Sequence, residues 1–177
     1  MKRAALITLA CLWPFAASAN VAQGISPDPL GELNALYGKI CKWPEGTTIP
    51  YEVVNITQDG KPDYLLSYDL PCRGQAKAFE GEHGLARQIW VSVPSDTGDK
   101  YVRILDANAR DLKLETRNGA TYVVLQHAGS YCLSVDAAPC FLTLVFRDNA
   151  LVWADDADQH PSMQARIKAE RAKGAGE

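Results

Sequence analysis

Three rhythms of apolar residues follow one another along the chain, and each predicts a different structure. The first is a nearly unbroken apolar run from Ala4 to Phe15, led by Lys2 and Arg3 and closed by Ala17-Ser18-Ala19. A positive start, a short apolar stretch and small residues at the end make a secretory signal over residues 1–19. The run is too short to cross a bilayer, which takes about 20 apolar residues. The second rhythm is helical. Leu30, Leu33, Leu36, Tyr37 and Ile40 fall on one face, and Asp28-Pro29 supplies a capping acid followed by proline at the first helical position. A helix over residues 29–41 follows, ended by Trp43-Pro44-Glu45-Gly46.

From Thr48 the third rhythm takes over: short β-rich runs separated by turn residues. Ile49 to Thr57 and Asp63 to Tyr68 flank "QDGKP"; Gln88 to Val93 and Tyr101 to Leu105 flank "PSDTGDK". Leu112 to Thr116 and Thr121 to Gln126 flank Asn118-Gly119, a strong two-residue hairpin signal. Phe141 to Arg147 and Ala150 to Trp153 flank "DNA". Successive hairpins predict a mainly β fold, an antiparallel meander closed as a sandwich or small barrel, with an N-terminal helix. "YVVLQ" and "FLTLVF" are too apolar for a wet face, so both sides of their sheet should be covered. Residues 20–27 read as a loose leader and 70–87 as a surface excursion. The tail from 158 to 177 reads as a weak helix over 165–173 or a partly disordered end, since Met163 and Ile167 are its large apolar residues. The domain plan is a signal over 1–19, one disulfide-stapled β-rich domain over 20–157, and the tail.

Charge and cysteine content narrow the setting. The whole chain carries a formal net charge of −3, and losing Lys2 and Arg3 with the leader makes the mature chain more acidic still. That disfavours general nucleic-acid binding, which depends on basic residues neutralising phosphates. The apolar pattern offers no membrane span beyond the leader. Cys41, Cys72, Cys132 and Cys140 remain after cleavage, an even number suited to an oxidising compartment. Of the three ways to pair them, Cys132 with Cys140 closes a short loop, leaving Cys41 with Cys72 to staple the helix to the first sheet. A zinc site lacks support because no Cys-x-x-Cys occurs. Cys11, after Leu9-Ala10, raises a rival lipoprotein reading, with Thr8 a poor fit to that signal.

The candidate chemistry lies in "NITQDGKPDYLL". Asn55, Thr57, Asp59 and Asp63 bear oxygen at alternate positions and Gly60 follows Asp59, the layout of a calcium loop without its bidentate glutamate. The competing reading is a hairpin turn made by Asp59-Gly60, with Pro62 setting the next strand. The stretch resembles the calcium loops of FG-GAP and VCBS-type β-repeats, and that resemblance makes Asn55, Thr57, Asp59 and Asp63 the metal ligands. More broadly, "DGKPDY", the segment around Cys72 to Val93 and "HAGSYCLSVDAAPCFLTLVF" resemble small exported proteins of Gram-negative, chiefly alphaproteobacterial, genomes. That resemblance implies location and architecture and no reaction.

Catalytic patterns are sparse. His83, His127 and His160 occur without a His-Glu-x-x-His spacing, no Gly-x-Ser-x-Gly elbow is present, and no phosphate loop can be traced. Trp43, Trp90, Trp153 and the tyrosines are expected mainly in the core, and an exposed cluster of them would mark a protein or glycan surface. The sequence therefore predicts a non-catalytic periplasmic or secreted binding protein whose partner is an envelope or secreted protein or a glycan, with calcium as the ion in question. The alternatives are an envelope inhibitor or immunity protein using Glu80-Gly81-Glu82, and a hydrolase using His83 or His127.

Overall fold

The computed structural model describes residues 24–82, 84–96, 98–128 and 139–174. Its elements, in chain order, are β1 (Ile25–Ser26), α1 (Pro29–Cys41), β2 (Tyr51–Val54), β3 (Asp63–Ser67), β4 (Glu80–Gly81) and β5 (Gly84–Val93). There follow β6 (Lys100–Ala109), β7 (Asp111–Arg117), β8 (Ala120–His127), β9 (Cys140–Arg147), β10 (Ala150–Trp153), a single 3-10 turn and α2 (Pro161–Gly174). The first sheet runs β1-β6-β5-β3-β2 with β4 added beside β5, and the second runs β10-β9-β8-β7. All pairings between them are antiparallel, and both sheets keep free edges, so the fold is a sandwich and not a closed barrel.

The period-2 pattern sorts side chains to two cores. Leu65, Ile89, Val91 and Leu105 of the first sheet meet Leu112, Val123, Leu125, Leu142 and Leu144 of the second between the layers. On the outer face of the first sheet, Leu66, Tyr68 and Trp90 pack under Leu33 of α1 and Ile49. Trp90 is fully buried there, with the Arg103 guanidinium 5.7 Å over its ring. The helix begins as its sequence requires: Asp28 Oδ1 accepts the Gly31 N–H at 2.9 Å, a cap that stabilises it by about 1 kcal/mol. It ends at Cys41, which is bonded to Cys72. That crosslink pins the end of α1 to the segment leading into β4, and such bonds contribute roughly 2–4 kcal/mol. Cys140 is also disulfide-bonded; its expected pairing with Cys132 falls outside the described residues.

Two expectations need revision, and a third is resolved in favour of its helical alternative. The leader is not loose throughout, because Ile25 and Ser26 pair with Val102 and Tyr101, and Arg103 N donates to Gly24 O at 2.8 Å. The excursion from 70 to 87 contains β4 and the first residues of β5, which begins at Gly84. The tail is docked. Met163 is fully buried in the inter-sheet core, and Gln159, 4% exposed, pairs its amide with both the N–H and the C=O of Thr143. Ser162 Oγ accepts from Phe141 N at 3.0 Å. Met163 and the partly buried Ile167 hold it there, and β10 ends opposite Leu144, leaving the rest of the β9 edge to be satisfied by this segment.

Candidate functional site

The outer face of the first sheet is covered by α1 over only part of its area. Beyond the helix, β2 forms the free edge, and the alternation in Tyr51-Glu52-Val53-Val54 places Tyr51 and Val53 on the outer side. Tyr51 is 49% exposed and Val53 64%. Next to them the Tyr64 ring meets Tyr51 edge-on at 6.0 Å and Tyr101 at 5.1 Å. Tyr101 lies opposite Ser92, whose small side chain leaves room for the two rings to meet across β5. Burial, and then the hydrogen bond with Tyr64, hold the Tyr101 hydroxyl well above the usual phenolic range, so it stays neutral.

The same face carries a hydrogen-bonded polar cluster around Trp90. Gln88 is 4% exposed; its Oε1 accepts from Tyr68 Oη at 2.8 Å and Trp90 Nε1 at 3.0 Å, and its Nε2 donates to Asp106. Arg103 completes the cluster through an ion pair of 2.9 Å with Asp106. Burial raises the Tyr68 hydroxyl and, with the Asp106 charge behind it, the Tyr37 hydroxyl. The Tyr64 and Tyr101 rings, half-buried against the Trp90 cluster, give the exposed Tyr51 a packed flank.

The loop before β3 abuts this face. Asp63 is fully buried: Oδ2 accepts from Ile56 N at 2.7 Å, Thr57 N at 2.9 Å and Thr57 Oγ1 at 3.1 Å, and Oδ1 accepts from Ser92 N at 2.9 Å. Asp59 is exposed and accepts from Lys61 N at 2.9 Å, Thr57 Oγ1 at 3.0 Å and Ser92 Oγ at 3.1 Å. The Lys61 N–H foremost holds the Asp59 carboxyl below the usual carboxylate range, and Asp99 raises Lys61 through their ion pair. Gln58 and Thr121 tie the same loop to the β7–β8 turn.

The structure thus gathers Thr57, Asp59 and Asp63, with Asn55 exposed beside them. The oxygens that the sequence suggests for calcium, at Asn55, Thr57, Asp59 and Asp63, bring two carboxylates to one loop. Such an ion takes about six to eight oxygens, whereas these carboxylate oxygens already accept the chain's own N–H and O–H groups. Among the described residues no group of three or more His, Cys, Asp or Glu is placed to hold a metal ion. The Gly60 φ of +83° serves the turn. These residues make a clasp that closes one end of the sandwich.

His83 lies outside the described residues. His127 is 4% exposed at the end of β8, opposite Cys140, and so is remote from solvent. His160 Nδ1 accepts from Ser162 N at 3.2 Å and caps α2. Glu80 is engaged by Lys77 at 2.7 Å. Sequence reasoning did not single out Val53 or the Tyr51–Tyr64–Tyr101 row, although the alternation in "YEVV" carried the signal. No family model matches the chain, and no match is found among curated proteins or solved structures.

Proposed function

We propose that the protein is a non-catalytic binding module, periplasmic or secreted, that meets an envelope or secreted protein through the face formed by Tyr51, Val53, Tyr64 and Tyr101. The observation that carries this reading is the strong exposure of Tyr51 and Val53 on a free sheet edge, beside Tyr64, whose ring meets both Tyr51 and Tyr101. Exposed aromatic residues such as Tyr51 are what protein interfaces use as anchors, and an exposed apolar patch around one marks an interaction surface. Export rests on the leader-like N-terminus and is supported by the Cys41–Cys72 bond, which persists in oxidising compartments. Among the described residues no helix is long and apolar enough to cross a membrane. The hydrolase reading loses support at His127, which is buried.

Photo-crosslinking in cells of the source organism tests this. A crosslinking amino acid placed at position 53 should trap one discrete protein, and the same probe at Lys113 on β7 should not. Equal capture at both positions, a glycan adduct, or no adduct at position 53 would overturn the reading.

A further inference from the structure

The free edge of β2 offers backbone as well as side chains, and its register fixes which backbone groups are open. Ser67 N donates to Pro50 O at 3.0 Å, which makes Pro50 and Ser67 a hydrogen-bonded pair. Along the ladder Tyr51 opposes Leu66, Glu52 opposes Leu65, Val53 opposes Tyr64 and Val54 opposes Asp63. Hydrogen-bonded and non-hydrogen-bonded pairs alternate in antiparallel ladders. Glu52 and Val54 therefore bond to β3, while the N–H and C=O of Tyr51 and Val53 point away from the sheet. The two residues with exposed side chains are also the two with outward-facing backbone.

The edges at β7, β1, β9 and β10 are managed differently. β7 carries Asp111, Lys113, Glu115 and Arg117 at alternate positions, a run of mixed charge that discourages added strands. β1 is only 2 residues long. Gln159 and Ser162 seal the part of β9 that β10 leaves bare. β10 exposes Val152 and Trp153 but contains no charged residue to set a partner's register. β2 carries a single charge, Glu52, which is exposed and forms no ion pair within the described residues.

We propose that β2 is an acceptor strand for an extended peptide of another protein, which adds to the sheet with β-branched or aromatic side chains against Tyr51 and Val53 and a basic side chain against Glu52. This rests on the reading of the same face as a partner-binding surface. Strand addition takes its affinity from the main chain and its specificity from alternate side chains. Aromatic against β-branched and acid against base are the favourable cross-strand pairs. A second copy of this chain is the poorer occupant. The antiparallel register that engages both outward residues sets Tyr51 against the partner copy's Val53, and so sets Glu52 directly against its own copy. Like charges in that position repel.

The test uses fluorescence anisotropy with a labelled, end-blocked peptide of alternating valine and threonine carrying one central lysine, and a twin carrying glutamate there. The full mature protein should bind the lysine peptide saturably and prefer it roughly fivefold, the sum of a favourable and an unfavourable charge pair. Glu52→Lys should reverse the preference. Val53→Pro should abolish binding, since it removes an outward N–H and leaves the β2–β3 ladder intact, whereas Val53→Thr should retain it. Absence of saturable binding, binding indifferent to Val53→Pro in a folded protein, or no reversal in Glu52→Lys would overturn the proposal. A crosslink from a probe at position 51 that persists in Val53→Pro would sink strand addition alone and leave the face as a binding surface. A stable dimer of the free protein, seen by sedimentation and broken at β2, would also contradict it.

Discussion

Asp63 at the start of β3 accepts the backbone N–H of Ser92 on β5 at 2.9 Å while holding Ile56, Thr57 and the Thr57 hydroxyl with its other oxygen. One buried carboxylate thus joins the turn to the sheet, in the place where the sequence had suggested an ion. Replacing Asp63 with Ala leaves several buried donors unmatched and should cost about 3–5 kcal/mol in urea unfolding. Asp59→Ala, at an exposed position, should cost well under that.

Calcium should accordingly leave the protein unchanged. Thermal unfolding in chelator and in millimolar calcium should give the same midpoint, because each Asp59 and Asp63 oxygen already accepts a hydrogen bond that the ion would have to displace. A rise of several degrees, lost in Asp59→Ala, would restore the cation reading.

Stability should fall at both ends of the pH range. The Asp59 carboxyl lies below the ordinary 3.8, so the unfolded chain takes up its proton first, and the stability it gives is lost as pH falls through its folded value. At the alkaline end Tyr37, Tyr68 and Tyr101 are held above the ordinary 10.0. Above that pH the unfolded chain loses phenolic protons that the folded chain keeps, so stability drops as pH rises. Urea midpoints from pH 3 to 11 check both limbs, and a flat alkaline limb would contradict the burial of these rings.

The docked tail makes a separate prediction. Met163→Ala should cost about 2–5 kcal/mol, as for a buried core methionine. A loss below about 0.5 kcal/mol would mean that α2 is dispensable to the core.

Much of this fold was legible in the sequence. Residues 29–41 and their Asp28 cap follow from helical spacing, and four hairpins follow from alternation and turn residues such as Asn118-Gly119. The Cys41–Cys72 bond was one of the pairings open at that stage. The rest depends on long-range contacts. Ile25 and Ser26 become a strand only because β6 offers an edge, and Gln159 is buried only because β10 stops short. The loop's hydrogen bonding was hidden for a related reason: oxygens at alternate positions suit a turn or a cation site alike, and the N–H that Asp63 accepts from Ser92 lies 29 residues away in sequence. The Tyr51–Tyr64–Tyr101 row was hidden because it assembles across strands.

The most direct test of an open β2 edge is residue-resolved amide hydrogen exchange. In the free protein Tyr51 and Val53 should exchange rapidly while Glu52 and Val54 are protected by β3, and partner or lysine peptide should slow Tyr51 and Val53 selectively. Equal protection of all four amides in the free protein, or no slowing at Tyr51 and Val53 on binding, would contradict the account.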